Sequence, residues 1–332
     1  MTTRGKRRSW RGCLAPAIGL ALAALAGAAA AELVGHGAIV NSVAVSPDGR
    51  RVLTASWDYT VKLWDLGTQR ELRTLNAHVA SVNAAAFLPD GHRAVSASWD
   101  QTVKLWNLDT GEVIRTFTGH QNNVSAVAVA PDGATIASAS WDRTVRIWDV
   151  ASGAALKTLR GHEANVMAVA YAPDGRTVLS GGYDATIRLW NVKTGEQIAV
   201  WRGHGNSVNA VDFSPDGTRA LSASTDGTVR LWEVATGKEL RRLEGHAGFV
   251  TSARFSPDGR RALSGGGDRT MRLWSLDSGM PIHVFSGHRK PVWSVAFTPD
   301  GRYGLSAGYD EVVKVWDLAT GKEVGPRSAA GD

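Results

Sequence analysis

From residue 36 to the C-terminus, apolar and polar positions alternate in short runs, and no stretch keeps the 3.6-residue spacing of a helix. Val124 to Val129 (VSAVAV) has the period of two that predicts a strand. Pro131-Asp132-Gly133 then predicts a tight turn, Pro presetting φ and Gly taking the position that side chains avoid. Thr135 to Ser140 (TIASAS) is a second strand of small and β-branched residues. Asp142-Arg143 turns again, and Thr144 to Trp148 (TVRIW) is a third strand. Ala151-Ser152-Gly153 turns once more before a fourth, outer strand over Leu156 to Leu159.

The unit recurs every 42 residues without an insertion. His36, His78, His120, His162, His204, His246 and His288 keep that spacing. So do Asp58, Asp100, Asp142, Asp184, Asp226, Asp268 and Asp310, and so do Trp64, Trp106, Trp148, Trp190, Trp232, Trp274 and Trp316. One four-stranded sheet of this size cannot cover its own faces, whereas copies stacked around an axis cover one another. The expectation is an all-β chain: a seven-bladed β-propeller of 42-residue repeats, with four antiparallel strands per blade, over residues 32–332.

At these residues the chain resembles the WD-repeat family, over about 300 of its 332 residues. The Gly-His pair stands at Gly35-His36, Gly119-His120 and four further repeats, with Ala77-His78 in repeat two. Trp-Asp survives at Trp64-Asp65, Trp148-Asp149 and Trp316-Asp317, and drifts to Asn107, Asn191, Glu233 and Ser275 elsewhere. The resemblance implies a hydrogen-bonded chain of His, Ser or Thr, Asp and Trp inside each blade. The matching hydroxyls are Thr54, Ser96, Ser138, Ser180, Ser222, Ser264 and Ser306, four residues before each Asp, so all seven sets are complete. One Ser-His-Asp trio alone would suggest a hydrolase, but seven equal copies argue for architecture, and no enzyme is expected. The histidines lie a blade apart with no His-x-His pair, so no metal and no cofactor are expected.

Function is expected where the copies diverge. Just before the Asp stand Trp57, Trp99, Trp141, Tyr183, Thr225, Gly267 and Tyr309. The five aromatics belong to blades seven, one, two, three and four, which adjoin around the ring. Five residues after the His stand Asn41, Asn83, Ser125, Met167, Asn209, Thr251 and Trp293, and Phe249 follows His246 by three. By the resemblance both columns share the narrow top face. Trp57, Trp99, Trp141, Tyr183, Tyr309, Trp293, Phe249, Met167, Asn41 and Asn83 are therefore the expected partner-binding surface, because Trp and Tyr anchor interfaces; the alternative is rings that merely pack over neighbouring blades. A basic residue two before each Trp (Lys62, Lys104, Arg146, Arg188, Arg230, Arg272, Lys314) is expected to pair with Glu71, Glu112, Glu196, Glu239 and Glu323 on the outer strands.

The formal charge of +6 suggests nucleic acid until it is located. Arg4, Lys6, Arg7, Arg8 and Arg11 lie within residues 1–31, and the remainder has 32 basic against 31 acidic residues, so no nucleic-acid partner is expected. The basic stretch precedes an apolar, alanine-rich run from Leu14 to Ala31, the anatomy of a secretory signal at 1–31. An uncleaved anchor is the alternative. Arg7-Arg8 followed by Ser9-Trp10 resembles a twin-arginine signal, except that Arg11 stands where an apolar residue is wanted. Removing the segment would also remove Cys13, the single cysteine.

These readings predict a non-enzymatic protein-interaction scaffold of the exported bacterial type. It is expected to be periplasmic or secreted, or anchored and facing the periplasm, monomeric, and in contact with a membrane only through a retained N-terminus. A propeller binding a small molecule or glycan, or an accessory subunit of an envelope enzyme, is the alternative. Blade seven is expected to close with a short, weakly held outer strand, because Gly325-Pro326 ends the C-terminal candidate and only Glu32-Leu33 remain at the other end.

Overall fold

The computed structural model describes residues 1–2 and 32–326; the segment read as an export signal, with Cys13, lies outside them. Strand β1 (Glu32–Val34) precedes blade one, formed by β2 (Val40–Val45), β3 (Arg51–Ser56), β4 (Val61–Asp65) and β5 (Glu71–Leu75). The pattern repeats to give seven four-stranded antiparallel sheets. Blade three shows how closely alternation set the strands. Its four run Val124–Val129, Thr135–Ser140, Thr144–Asp149 and Ala155–Arg160, each end within one residue of the expectation.

The core is a series of layers between blades. Leu53, Val61, Leu63 and Leu75 of blade one pack against Val82, Ala94 and Trp106 of blade two, all buried. Strand β3 and its equivalents end in three small residues, Thr54-Ala55-Ser56 in blade one and Ser180-Gly181-Gly182 in blade four, where neighbouring blades pack closely; a Cβ at Gly181 would stand 2.6 Å from Val208 of the next blade. Among the described residues no helix is long and apolar enough to cross a membrane.

Blade seven closes with chain from both ends. β1 pairs antiparallel with the blade's third strand, Val312–Asp317, placing Glu32 opposite Lys314 and Val34 opposite Val312. Glu323 bridges Trp316 on the same edge, and the Val324 N–H donates to the Val315 carbonyl at 2.8 Å. The outer strand is short, as expected, but anchored at several points. Leu33 is 1% exposed and joins the layer between blades seven and one, and the Lys314 ammonium donates to both Glu32 and Glu323.

Candidate functional site

The repeated polar residues form one chain in every blade. In blade one the Trp64 Nε1–H donates to Thr54 Oγ1 at 2.8 Å, His36 Nε2 meets the same hydroxyl at 2.6 Å, and His36 Nδ1 meets Asp58 at 2.7 Å. The other six blades repeat the three links at 2.6–3.0 Å. Burial holds the His204 imidazole below its ordinary value against the pull of Asp226. In that neutral ring the hydroxyl, already accepting from Trp232, donates its proton to Nε2, and Nδ1–H donates to Asp226. Burial would raise the Asp58 carboxyl, but hydrogen bonds from His36 and Thr60 outweigh it and hold the group well below the usual carboxylate range. The hydroxyl of each of the seven sets is thus engaged inside its own blade.

The chain also fixes the hairpin that carries the aromatic column. Asp58 accepts from the Thr60 N–H at 2.9 Å and the Gly37 N–H at 3.1 Å, and the Trp57 N–H donates to the Ile39 carbonyl at 3.0 Å. The second column is placed by an irregularity. In all seven blades the register of the inner strand shifts around the fifth residue after His, as between Val40 and Ser42. A bulge of this kind re-aims its side chain, here to the mouth of the ring.

Together these devices build a collar of rings. Trp141, Trp99, Trp57 and Tyr309 follow one another with centroids 5.6, 5.2 and 6.2 Å apart. Trp293 stacks on Tyr309 at 5.1 Å and 21°, and Phe249 meets Trp293 edge-on at 6.5 Å. Tyr183, 47% exposed, stands at the other end. Burial pushes the Tyr309 phenol up, and the nearby Tyr183 adds to it. The Trp57 and Trp141 indole nitrogens are buried and have no hydrogen-bond partner among the described residues.

The collar opens on a central cavity of about 920 Å³ reaching down to Pro215, Pro257 and Pro299. All ten residues expected on the face line its mouth. Two of them are already engaged. Asn83 is 8% exposed, accepts from Asn41 at 2.9 Å and donates to the Val124 carbonyl at 2.9 Å. Ser125, Asn209 and Thr251 reach the next blade in the same way. The polar members of this column clasp blades together; Met167 and Trp293 do not.

The ring of cations is only partly paired as expected. Lys62 meets Glu71 at 2.8 Å, Arg230 meets Glu239 at 2.6 Å and Lys314 meets Glu323 at 3.0 Å. Glu112 and Glu196 make no such pair, because each stands one residue before the in-register position and so points to the other side of the pleat. Gln197 accepts from Arg188 instead, Lys104 turns to Thr116, and Arg146 and Arg272 lie over Trp148 and Trp274.

Two residues escaped sequence reasoning. Asp212 and Arg254 face the cavity at a register position that is alanine in the other five blades, and comparing that column would have exposed them. Burial raises the Asp212 carboxyl above its ordinary value, opposed by Arg254 and the Phe255 N–H.

Seven circularly stacked blades, each locked by the same buried chain, define a repeat propeller whose variable surface is its mouth. The chain belongs to the WD-repeat family: the model of the WD domain, G-beta repeat, matches at residues 28–65, 69–107, 111–149, 153–191, 195–233, 237–275 and 279–317. It is 54% identical over 35 residues to ribosome assembly protein 4 of Saccharomyces cerevisiae, covering 10% of this chain and 7% of that protein. It is 50% identical over 36 residues to cross-pathway control WD-repeat protein 2 of Flammulina velutipes, covering 11% of each. Each likeness spans less than one 42-residue repeat. Propellers of this family generally serve as protein-interaction scaffolds.

Proposed function

We propose that this chain is an exported, non-enzymatic scaffold that holds protein partners on the aromatic collar. The observation that carries the reading is the run of six touching rings from Trp141 to Phe249. Aromatic side chains supply large contact area at little entropic cost, and they dominate binding hot spots.

Export is supported by the basic and apolar segment 1–31. The partner is not named by the two relatives, whose likeness ends within one repeat.

The test is crosslinking in the native envelope followed by mass spectrometry, comparing wild type with the combined Trp57→Ala, Trp99→Ala and Trp141→Ala variant. Partner crosslinks are expected to disappear while the β-sheet spectrum is retained. Unchanged crosslinks in the folded variant would sink the collar as the site. N-terminal sequencing of the envelope form tests export separately.

A further inference from the structure

Arg254 and Asp212 are the charged side chains of the central cavity among the described residues. They face each other from the inner strands of blades six and five, at a position occupied by alanine elsewhere, Ala44 and Ala296 included. Their roles differ. Asp212 Oδ2 accepts the Phe255 N–H at 2.8 Å, a tight link between the two blades. Arg254 is held loosely: Nη1 stands 3.7 Å from Asp212 Oδ1 and 3.4 Å from the Val211 carbonyl. Its side chain is 44% exposed, and Nε and Nη2 have no acceptor among the described residues.

Both contacts reach blade five, but they are long and engage Nη1 alone. The same junction already has the Asn209 bond to Val250 at 2.8 Å and a layer containing Leu231, Val250 and Trp274. A guanidinium with a free planar edge, at one height of an otherwise uncharged wall, fits a planar oxyanion.

We propose that Arg254 anchors a carboxylate-binding site in the central cavity. The ligand is a small monocarboxylate whose charged end lies on the Nε and Nη2 edge and whose apolar body runs along the alanine wall toward the collar. Asp212 selects single charge, since its carboxylate beside the guanidinium repels a dianion such as phosphate. The cavity, at about 920 Å³, has the size of a small-molecule site. This site goes beyond the docking role of the collar and does not depend on it.

The test is a titration followed by NMR of alanine methyl groups, with butyrate and 3-phenylpropionate as probes and 3-phenylpropanamide and 2-phenylethylammonium as controls. The carboxylates are expected to shift the Ala44 and Ala296 methyls saturably. The amide is expected to bind about tenfold more weakly or less, having lost the charge-assisted bonds. Arg254→Met is expected to abolish the carboxylate preference, and Arg254→Lys to keep part of it, with thermal midpoint and remaining methyl positions unchanged. The proposal is overturned if neither carboxylate saturates, if the amide binds equally, or if folded Arg254→Met or Arg254→Lys binds carboxylate like wild type. It is also overturned if the ammonium probe alone binds and loses binding in Asp212→Asn. Should Arg254→Met fail to fold, the amide comparison on wild type and the Arg254→Lys variant decide the outcome.

Discussion

The Phe249 ring occupies the space that a side chain at Gly267 would fill: a Cβ there would lie 2.6 Å from Phe249 Cε1. Gly267 is the blade-six member of the column that holds aromatics in five other blades. The collar therefore continues through blade six with a ring borrowed from the loop after His246. Blade five is the break, where Asn209 donates to Thr225 at 3.0 Å.

That substitution of one column for another is testable. Gly267→Tyr alone overpacks the slot and is expected to destabilise the fold by about 1–3 kcal/mol. Combined with Phe249→Ala it should recover most of the loss, as urea midpoints in a double-mutant cycle would read. Additive losses would mean that the two residues do not share the space.

The indoles of the collar and of the blade interior should respond differently to loss of their N–H. Trp64→Phe leaves the buried Thr54 hydroxyl without its donor, whereas Trp57→Phe removes an N–H that has no partner among the described residues. Trp57→Phe is expected to cost at least about 1 kcal/mol less than Trp64→Phe. Equal losses in urea unfolding would contradict the unpaired state of Trp57.

Acid should unfold the ring steeply. Asp58, Asp100, Asp142, Asp184, Asp226, Asp268 and Asp310 all titrate below their ordinary value when folded. Such groups lend stability that is full above the unfolded value, about 4, and is lost as pH falls through the folded one. His204 acts in the same direction: lowered in the fold, it costs stability as pH drops below about 6.5. The urea midpoint is thus expected to fall continuously from pH 7 to pH 3, most sharply below 4. Asp142→Asn should flatten that acid limb, and an unaltered slope would remove Asp142 from the account.

Ring closure rests on few residues. Leu33→Ala removes a fully buried side chain from the layer between blades seven and one and should cost about 2–5 kcal/mol. Amide exchange in Val312–Asp317 should quicken before that of any other blade. Uniform exchange around the ring would show that the β1 strand does not limit its opening.

Much of this was legible in the sequence because periodicity is local. Strand limits in blade three follow from spacing, whereas the linkage of the seven sets and the shared face of the aromatic column were implied by the resemblance to the WD-repeat family. What was hidden depends on space between columns. Phe249 could replace a residue at Gly267 only through sterics across two strands, and Glu112 misses its cation by one step of the pleat. Asp212 and Arg254 were masked by the very regularity of the repeat, which drew attention to shared positions. The split outer strand required knowing that Glu32 and Glu323 converge on Lys314.

That convergence has a mechanical consequence. The two ends of the ring meet at a single lysine on the rim of blade seven, so tension applied between them loads that blade alone. β1 would peel from Val312–Lys314 one residue pair at a time, while the other six blades carry no force until it has gone. Under load the molecule would behave as a clasped bracelet, whose strength is that of its fastening.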